Sequence, residues 1–473
     1  MASVLPSNLS FFMSRLQGVA TSHFKINPQT SNTGTANRIV RFELPSNTLL
    51  NFRSLRLFFQ IKTTGTGASI PPDTSSFLER VSVYVGGVLV ANGFNGYNTL
   101  VHAKAALQGS KCGTLAHPEM VRGISYHTNG TDGAGGALTG TANEDYATSA
   151  NLKEDLFCID NFEGFLGSCE PAIMDTGAIS TIVIELALAD NAIITSSAGR
   201  AIGGTATSGF DVAPATPSSA YEISNMTMQV EVLSLASNVI DTIVEQRISQ
   251  VGYLSVPFKN YFSFANTHSG STRFNVNSAS WDRLWVAYRD STYGTTAAPV
   301  RVKGYKKAGG FVSIAAANAD ATNFEIGLPE YDVGGVLNTN AEKYKPKYFN
   351  FEEKKASLST LTSYQLQINS ANIPSYPMNA VEALAMSMNS LDYYDKNHKL
   401  TLHQYKHNYF VQCFRFCLPD SDYSRLASGL DCRGVSSSCA LNTTGVDSCN
   451  VMLFAECTSE LRIGAGRQIE VVV

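Results

Sequence analysis

The feature that most constrains the fold is a pattern that occurs twice, about half a chain apart. Residues 77–107 read FLERVSVYVGGVLVANGFNGYNTLVHAKAAL, and residues 363–391 read SYQLQINSANIPSYPMNAVEALAMSMNSL. In each copy, residues of alternating polarity predict a strand, and Gly86-Gly87 or Asn369-Ser370 predicts a tight turn. A second short strand and a short helix follow. Two such units predict a duplicated β domain.

The helix at the end of each unit is marked by the spacing of its apolar residues. In the second copy, Asn379 with Glu382 three residues later predicts a capping box at the start of the helix. The apolar stripes are Tyr97, Leu100, Val101 and Leu107 in the first copy, and Val381, Leu384, Ala385, Met388 and Leu391 in the second.

Length and charge limit what the two domains can be. With 473 residues, the chain is too long for one core and fits two β domains of roughly 200–250 residues each. Charged residues make up only 16% of the sequence, which suits an ordinary β protein and also one that is largely covered by neighbours. The net charge is −4 and there is no basic run, so binding to nucleic acid through phosphate contacts is not indicated.

The sequence also predicts where the protein folds. The most apolar stretch, 179–195, is interrupted by Glu185 and Asp190, so no transmembrane segment is expected. The first 18 residues lack the basic start and continuous apolar core of a secretory signal. We therefore expect the four Asn-x-Ser/Thr sequons not to be used. Nine cysteines at irregular spacing favour thiols over a disulfide framework.

We divide the chain into an N-terminal arm (1–36), a first domain (37–240) and a second domain (241–473). Matched segments occur in the same order in both domains. The strand with Leu55, Leu57 and Phe59 corresponds to the one with Leu284, Val286 and Tyr288, and residues 416–430 echo residues 157–168. The loops between them differ in length, as duplication followed by loop divergence predicts. Long loops are expected at 109–150, 196–219 and 290–341.

These segments resemble the double jelly-roll major capsid proteins of small eukaryotic DNA viruses, with polinton-like viruses and virophages as the nearest relatives. The resemblance rests on residues 77–100, 161–191, 256–290, 364–374 and 426–471, and covers residues 38–473. It implies an all-β chain of two tandem eight-stranded jelly rolls with short helices in loops. It further implies a structural role in the virion capsid: homotrimeric, pseudo-hexagonal capsomers that tile an icosahedral shell, assembled inside the infected host cell, with minor capsid or penton proteins as partners. The long loops are then expected to form the outward crown, with the arm toward the interior or between neighbours.

No residue pattern supports catalysis, a cofactor or a metal site. His403, His407, Cys413 and Cys417 would suit zinc in a helix, but the alternation around Cys413 predicts a strand, in which the two cysteines lie about 13 Å apart. We therefore interpret them mainly as core or surface residues. Carboxylates at 290, 352, 353, 392 and 395 are interpreted as solvated loop residues, and the glycine-rich stretch within 109–150 lacks the strand, helix and Lys-Ser/Thr pair of a phosphate-binding loop. We assign no catalytic, cofactor-binding or metal-binding residue and expect the protein not to be an enzyme.

The alternative function is a carbohydrate-binding or glycan-hydrolysing β-sandwich protein, since jelly rolls also serve these roles. Such a site needs exposed aromatic side chains on a concave face. The chain has only Trp281 and Trp285, whose spacing places both on one face of a strand that we expect to face a core. We also expect the arm to become ordered only on assembly, and only Cys432, Cys439 and Cys449 to be open to oxidation.

Overall fold

The computed structural model describes most of the chain outside its long loops. The described residues are 20–63, 74–91, 94–109, 157–190, 192–196, 215–218, 221–234, 239–289, 304–306, 324–326, 351, 353–356, 360–392, 394, 400–402, 405–406, 409–418, 428–433 and 438–473. The loops predicted at 109–150, 196–219 and 290–341 fall almost entirely outside these residues.

The described chain consists mainly of antiparallel strands with a few short helices. Its first half contains β1 (Ala20–Ile26), β2 (Gly34–Thr35), β3 (Ile39–Glu43), β4 (Leu49–Thr63), β5 (Leu78–Val85), β6 (Val88–Ala91), α1 (Tyr97–Gln108), β7 (Phe157–Ile159), α2 (Phe165–Ser168), β8 (Ile173–Asp175), α3 (Thr176–Ile179), β9 (Ile182–Leu188), β10 (Ile193–Ser196), β11 (Ala215–Ser218) and β12 (Tyr221–Ser234). The second half contains α4 (Val239–Val251), β13 (Tyr253–His268), β14 (Ser271–Phe274), β15 (Trp281–Arg289), β16 (Gly304–Lys306), β17 (Phe324–Ile326), β18 (Ser363–Ile368), β19 (Ala371–Met378), α5 (Ala380–Asn389), β20 (Val411–Arg415), β21 (Cys439–Thr444), β22 (Cys449–Gly464) and β23 (Ile469–Val472). Short 3-10 turns lie at Thr74–Phe77 and Ala465–Arg467.

Four sheets form two sandwiches with the same strand order. In the first half, one sheet has the order β1-β12-β4-β7, with β2 and β8 attached, and the other has the order β3-β9-β5-β6. In the second half, the orders are β13-β22-β15-β20, with β23 attached, and β14-β21-β18-β19. Each half therefore has eight main strands, and strands that occupy the same place in chain order occupy the same place in the sheets. This is the jelly-roll arrangement, and the predicted duplication is confirmed.

The strand-turn-strand-helix units found in the sequence lie at equivalent places. Strands β5 and β18 each pair with the next strand in the chain, β6 or β19, and also with β9 or β21, respectively. Both turns have two central residues with positive φ: 56° and 81° at Gly86 and Gly87, and 46° and 71° at Asn369 and Ser370. This backbone matches the twist of a two-residue hairpin. From the end of the strand to the start of the helix is twelve residues in each copy, 85 to 97 and 368 to 380.

Each sandwich is held by its own apolar core. Alternate residues of β4 and β12 point inward, for example Leu57, Phe59, Met228 and Val230, each at most 2% exposed. In contrast, every residue of β15 is buried, because both faces of the β13-β22-β15-β20 sheet are covered. The N-terminal end of β13 and the C-terminal end of β22 reach the first core. Its apolar cluster includes Val256, Phe258, Leu461 and Ile463. The two sandwiches are thus packed against each other along one sheet of the second.

Two sequence predictions are corrected by the fold. Residues 20–35, assigned to an N-terminal arm of residues 1–36, instead contribute β1 and β2 to the first sheet. The pattern missed β1 because it is an edge strand whose first six residues are all exposed, so it is held by backbone pairing without an apolar face. The second correction concerns the match between residues 157–168 and residues 416–430. The strand equivalent to β7 is β20, which ends at Arg415, so the predicted match begins one residue after the equivalent strand.

Candidate assembly interface

The contact between the two sandwiches is the best-defined interaction surface in the molecule, and helix α1 lies at its centre. Nine of the twelve residues of α1 are buried. Leu100, Ala103 and Leu107 belong to the apolar cluster of the second sandwich although they lie in the first half of the chain. Helix α1 therefore fills the space between its own sandwich and the outer face of the β13-β22-β15-β20 sheet.

The residues that precede α1 fit closely against that outer face. Phe94 contacts the rings of Tyr97, Tyr261 and Phe454, with ring centroids 5.5–6.0 Å apart. Gly96 has φ +80°, and a Cβ atom at this position would lie 2.5 Å from Met452 Cε. The left-handed backbone therefore favours glycine here, and an added Cβ would have to displace the flexible end of the Met452 side chain.

Buried ion pairs cross or border the same contact. The Lys104 ammonium lies 2.6 Å from Glu163 Oε2 and donates to Tyr261 Oη at 3.0 Å. Lys104 and Glu163 belong to the first half of the chain, and Tyr261 belongs to β13. Both charged side chains are at most 9% exposed. Their pairing offsets the free-energy cost of removing each charge from water.

A second ionic group lies within the outer face of the sheet itself. Arg283 Nη1 lies 3.0 Å from Glu456 Oε1, and Trp285 Nε1 donates to Glu456 Oε2 at 2.9 Å. Arg283 also pairs with Asp392, beyond the C-terminal end of α5. Burial alone raises the pKa of the Glu456 carboxyl, but the positive charges of Arg283, Lys104 and Lys259 and the Trp285 hydrogen bond together lower it to about 2. Glu456 is therefore ionised at any physiological pH.

A third pair fastens the edge of the sheet. Lys259 Nζ lies 2.7 Å from Asp282 Oδ2. The Lys259 ammonium also donates to Thr458 Oγ1, and the Thr458 hydroxyl donates to Asp282 Oδ2. Next to this pair, the end of α2 and the residues after it cover the edge of β13 that has no neighbouring strand. The Lys259 amide donates to Ser168 Oγ at 2.8 Å, and the Glu170 amide donates to Pro257 O at 3.0 Å. Covering this edge prevents the strand from pairing with another chain.

Sequence reasoning did not identify these ion pairs, although the sequence carries a signal for them. Asp282, Arg283 and Glu456 stand inside runs of apolar residues, SWDRLWVAY and VMLFAECTSEL. A strand that is apolar on both faces is buried on both faces, so a charge within it must be paired. The partners cannot be read from one sequence, because they stand on strands that are distant in the chain: Lys259 pairs with Asp282, and Arg283 pairs with Glu456.

The candidate chemical residues do not form a site in the described chain. Cys413 and Cys417 are both buried, as interpreted from the strand pattern, while His403 and His407 lie outside the described residues. Among the described residues, no group of three His, Cys, Asp or Glu side chains is arranged to hold a metal ion. Glu353 accepts from Thr362, and Asp392 pairs with Arg283 and Arg415, whereas the other three candidate carboxylates lie outside the described residues.

The aromatic and cysteine residues also occupy structural positions. Trp281 and Trp285 are 0% and 1% exposed, so their expected burial is confirmed. They do not share one face of the strand, because a β-bulge between Trp281 and Arg283 places Trp281 opposite Cys457 and Trp285 opposite Phe454. The eight cysteines in the described chain are buried thiols. Burial raises the pKa of Cys169 and of Cys457 to about 12, which disfavours the reactive thiolate. No helix within the described ranges is long and apolar enough to cross a bilayer.

Comparison with known proteins relates this architecture to viral capsids. No protein-family model matches the sequence, and no curated protein is significantly similar to it. The structure is similar to that of the capsid protein in a quasi-atomic model of the PBCV-1 virus capsid, at 13% identity and a TM-score of 0.56 over 98% of this chain and 100% of that one. The chain has the double jelly-roll fold. The same values are found for PBCV-1 VP54 fitted into a reconstruction of the virophage Sputnik, and the Faustovirus major capsid protein is similar at 10% identity and a TM-score of 0.49 over 96% and 92% of the two chains.

Proposed function

We propose that this protein is the major capsid protein of an icosahedral DNA virus and that three chains associate as a pseudo-hexagonal capsomer. The observation that carries the proposal is the double jelly-roll fold, shared with the PBCV-1 capsid protein from end to end of both chains. Its place is then the virion capsid, with neighbouring capsomers and minor capsid or penton proteins as partners. The role is structural, with no catalysis.

The surfaces of the two jelly rolls support assembly with other chains. The outer face of the β13-β22-β15-β20 sheet is covered by the first jelly roll, while on the equivalent face of the first jelly roll Arg56 is exposed and Phe58, Thr227 and Gln229 are half-buried. Exposed strand β1 lies at its edge. A chain with one covered and one open copy of the same surface can repeat its internal contact with a neighbour, and such a head-to-tail contact closes into a ring.

The carbohydrate-binding alternative gains no support from the tryptophans. Both are buried, so neither can form the aromatic platform of a glycan site.

Electron microscopy of the purified protein tests the proposal. We expect particles with a three-fold axis and six lobes, one for each jelly roll, and closed shells at high concentration. Single two-lobed particles at micromolar concentration, together with binding to an oligosaccharide array, would contradict it.

A further inference from the structure

The outer face of the β14-β21-β18-β19 sheet carries a polar pocket of about 560 Å³. Three neighbouring strands line it, and it is bounded at one end by the hairpin turn of Asn369 and Ser370. The strands contribute Arg273 from β14, Ala440 from β21 and Gln367 from β18. Arg273 is the only charged residue in the described lining, and we call this feature the Ala440 pocket.

A small residue forms the floor of the Ala440 pocket. In the pairing register, Arg273 lies opposite Ala440, and Gln367 lies opposite Ala440 on its other side. Residues that face each other across neighbouring strands stand side by side on one face, with Cβ atoms about 5 Å apart. The alanine methyl group therefore lies between two long polar side chains, which form the walls of a depression.

The hydrogen bonds around the pocket leave donors available rather than acceptors. The Ser271 hydroxyl donates to Asn442 Oδ1 at 2.9 Å, and the Asn442 amide donates to Gln367 Oε1 at 3.4 Å. These bonds engage the oxygens of both amides and leave the Gln367 amide nitrogen as a donor. Arg273 is exposed and forms no ion pair with a described residue. A free guanidinium beside amide and hydroxyl donors suits an anion that only accepts, above all a carboxylate.

The first jelly roll shows how a carboxylate fills such a place. Its edge strand β3 is equivalent to β14, and its outward arginine, Arg41, lies opposite Glu185 of β9. The two side chains form an ion pair, in which Arg41 Nε also donates to Glu185 Oε1. In the second jelly roll, Ala440 stands opposite the outward arginine, so the neighbouring strand supplies no carboxylate. One sheet therefore provides the partner of its arginine, and the other leaves that position to a ligand.

The length of the pocket favours a peptide over a small free anion. Ser438 and Asn442 both line it, and four residues along β21 correspond to about 13 Å. A small anion would contact Arg273 alone. An extended peptide of about four residues spans the same length and can also accept from the amide and hydroxyl donors around the arginine.

We infer that the Ala440 pocket binds an Asp or Glu side chain that an extended segment of a partner protein presents. The carboxylate accepts two hydrogen bonds from the Arg273 guanidinium above the Ala440 methyl group, and the peptide backbone accepts from the surrounding polar side chains. Charge and extended shape identify the partner. The inference concerns one face of one jelly roll, so it does not depend on the number of chains in the proposed capsomer.

The test measures the fluorescence anisotropy of a dye-labelled tetraglutamate peptide with the full-length protein, and tetraglutamine is the uncharged comparison. The wild type should bind the acidic peptide, and Arg273→Gln should weaken binding by about tenfold or more, because it removes a charge-assisted pair of hydrogen bonds. Arg38→Gln is the matched control, since Arg38 is an exposed arginine of the first jelly roll. Added NaCl should weaken the binding of the wild type.

Substitution of Ala440 tests the site without removal of its arginine. Ala440→Glu places a carboxylate opposite Arg273, as Glu185 lies opposite Arg41, and should abolish peptide binding. Ala440→Gln fills the same space without the charge. The unfolding temperature of Ala440→Glu should exceed that of Ala440→Gln, and the difference should decrease as NaCl is added, because it comes from the new ion pair. Circular dichroism confirms that each variant is folded.

Four results would overturn the inference. The first is binding of tetraglutamate by the wild type that is weaker than about 1 mM. The second is equal affinity in the wild type and Arg273→Gln. The third is a preference for a heparin tetrasaccharide over tetraglutamate, which would identify a saccharide site. The fourth is loss of self-association in Arg273→Gln without added peptide, which would make the occupant a second copy of this chain.

Discussion

At the scale of single residues, the buried charges of the second jelly roll distinguish it from an ordinary apolar sandwich. Arg283 and Glu456 are 2% and 4% exposed and are paired with each other. Such a pair adds little net stability over apolar residues of the same size, but loss of one partner leaves an uncompensated buried charge. Arg283 and Glu456 lie beneath α1. Their pairing therefore also affects how the two jelly rolls fit together.

Replacement of Glu456 by Gln should therefore destabilise the protein by about 3–5 kcal/mol, because the Arg283 charge loses its main buried partner. Chemical denaturation monitored by tryptophan fluorescence measures the change. The matched control is Glu460→Gln on the same strand, whose Arg462 partner is at a more exposed position. Equal losses in the two variants would contradict this account.

The burial of His268 leads to a prediction of how the free energy of unfolding depends on pH. Its ring nitrogens lie 2.6 Å from Thr272 Oγ1 and 2.6 Å from Thr443 Oγ1, and burial lowers its pKa below the usual 6.5. In the unfolded chain the imidazole is protonated as pH falls through 6.5, while in the folded chain it remains neutral to lower pH. Because the unfolded state binds more protons in this window, stability should decrease below pH 6.5.

The free energy of unfolding measured at pH 7.5 and pH 5.5 checks this prediction. We expect the loss between the two pH values to be larger in the wild type than in His268→Gln, which has no titrating group at this position. If the two proteins lose the same amount of stability, His268 does not contribute to the pH dependence.

At the scale of elements, the start of α1 depends on a glycine that serves two purposes. Gly96→Ala places a side chain at φ +80° and within 2.5 Å of Met452 Cε, whereas Gly87→Ala meets the same backbone cost at φ +81° with no atom within 4 Å. The backbone cost is about 1–2 kcal/mol in both. Gly96→Ala should therefore be only slightly more destabilising than Gly87→Ala in thermal denaturation, because the atom that the new side chain meets is the movable end of Met452. A smaller effect at position 96 than at 87 would show that the contact does not constrain this residue.

The elements that sequence predicted are those whose signals are local. Alternation in β5 and β18, the turns at Gly86 and Asn369 and the capping box at Asn379 all depend on residues within one unit, and all are present. Strand β1 was not predicted because its stability comes from backbone pairing with β12, some 200 residues away. The opposite environments of α1 and α5 also could not be predicted, because a helix stripe does not reveal which surface covers it.

At the scale of the whole molecule, duplication gives one chain two copies of the same surface. Within the chain, α1 and the paired charges of Lys104 and Glu163 cover the outer sheet of the second jelly roll. On the equivalent sheet of the first jelly roll, Arg56 is exposed and Phe58 is half-buried, so this face is a candidate for the contact between neighbouring chains in the proposed capsomer.

The mass of the native protein in solution tests the central claim most directly. Light scattering coupled to size exclusion should report three times the chain mass of 50.9 kDa at micromolar concentration, or much larger closed particles. A stable species of one chain mass across the same concentration range would contradict the account.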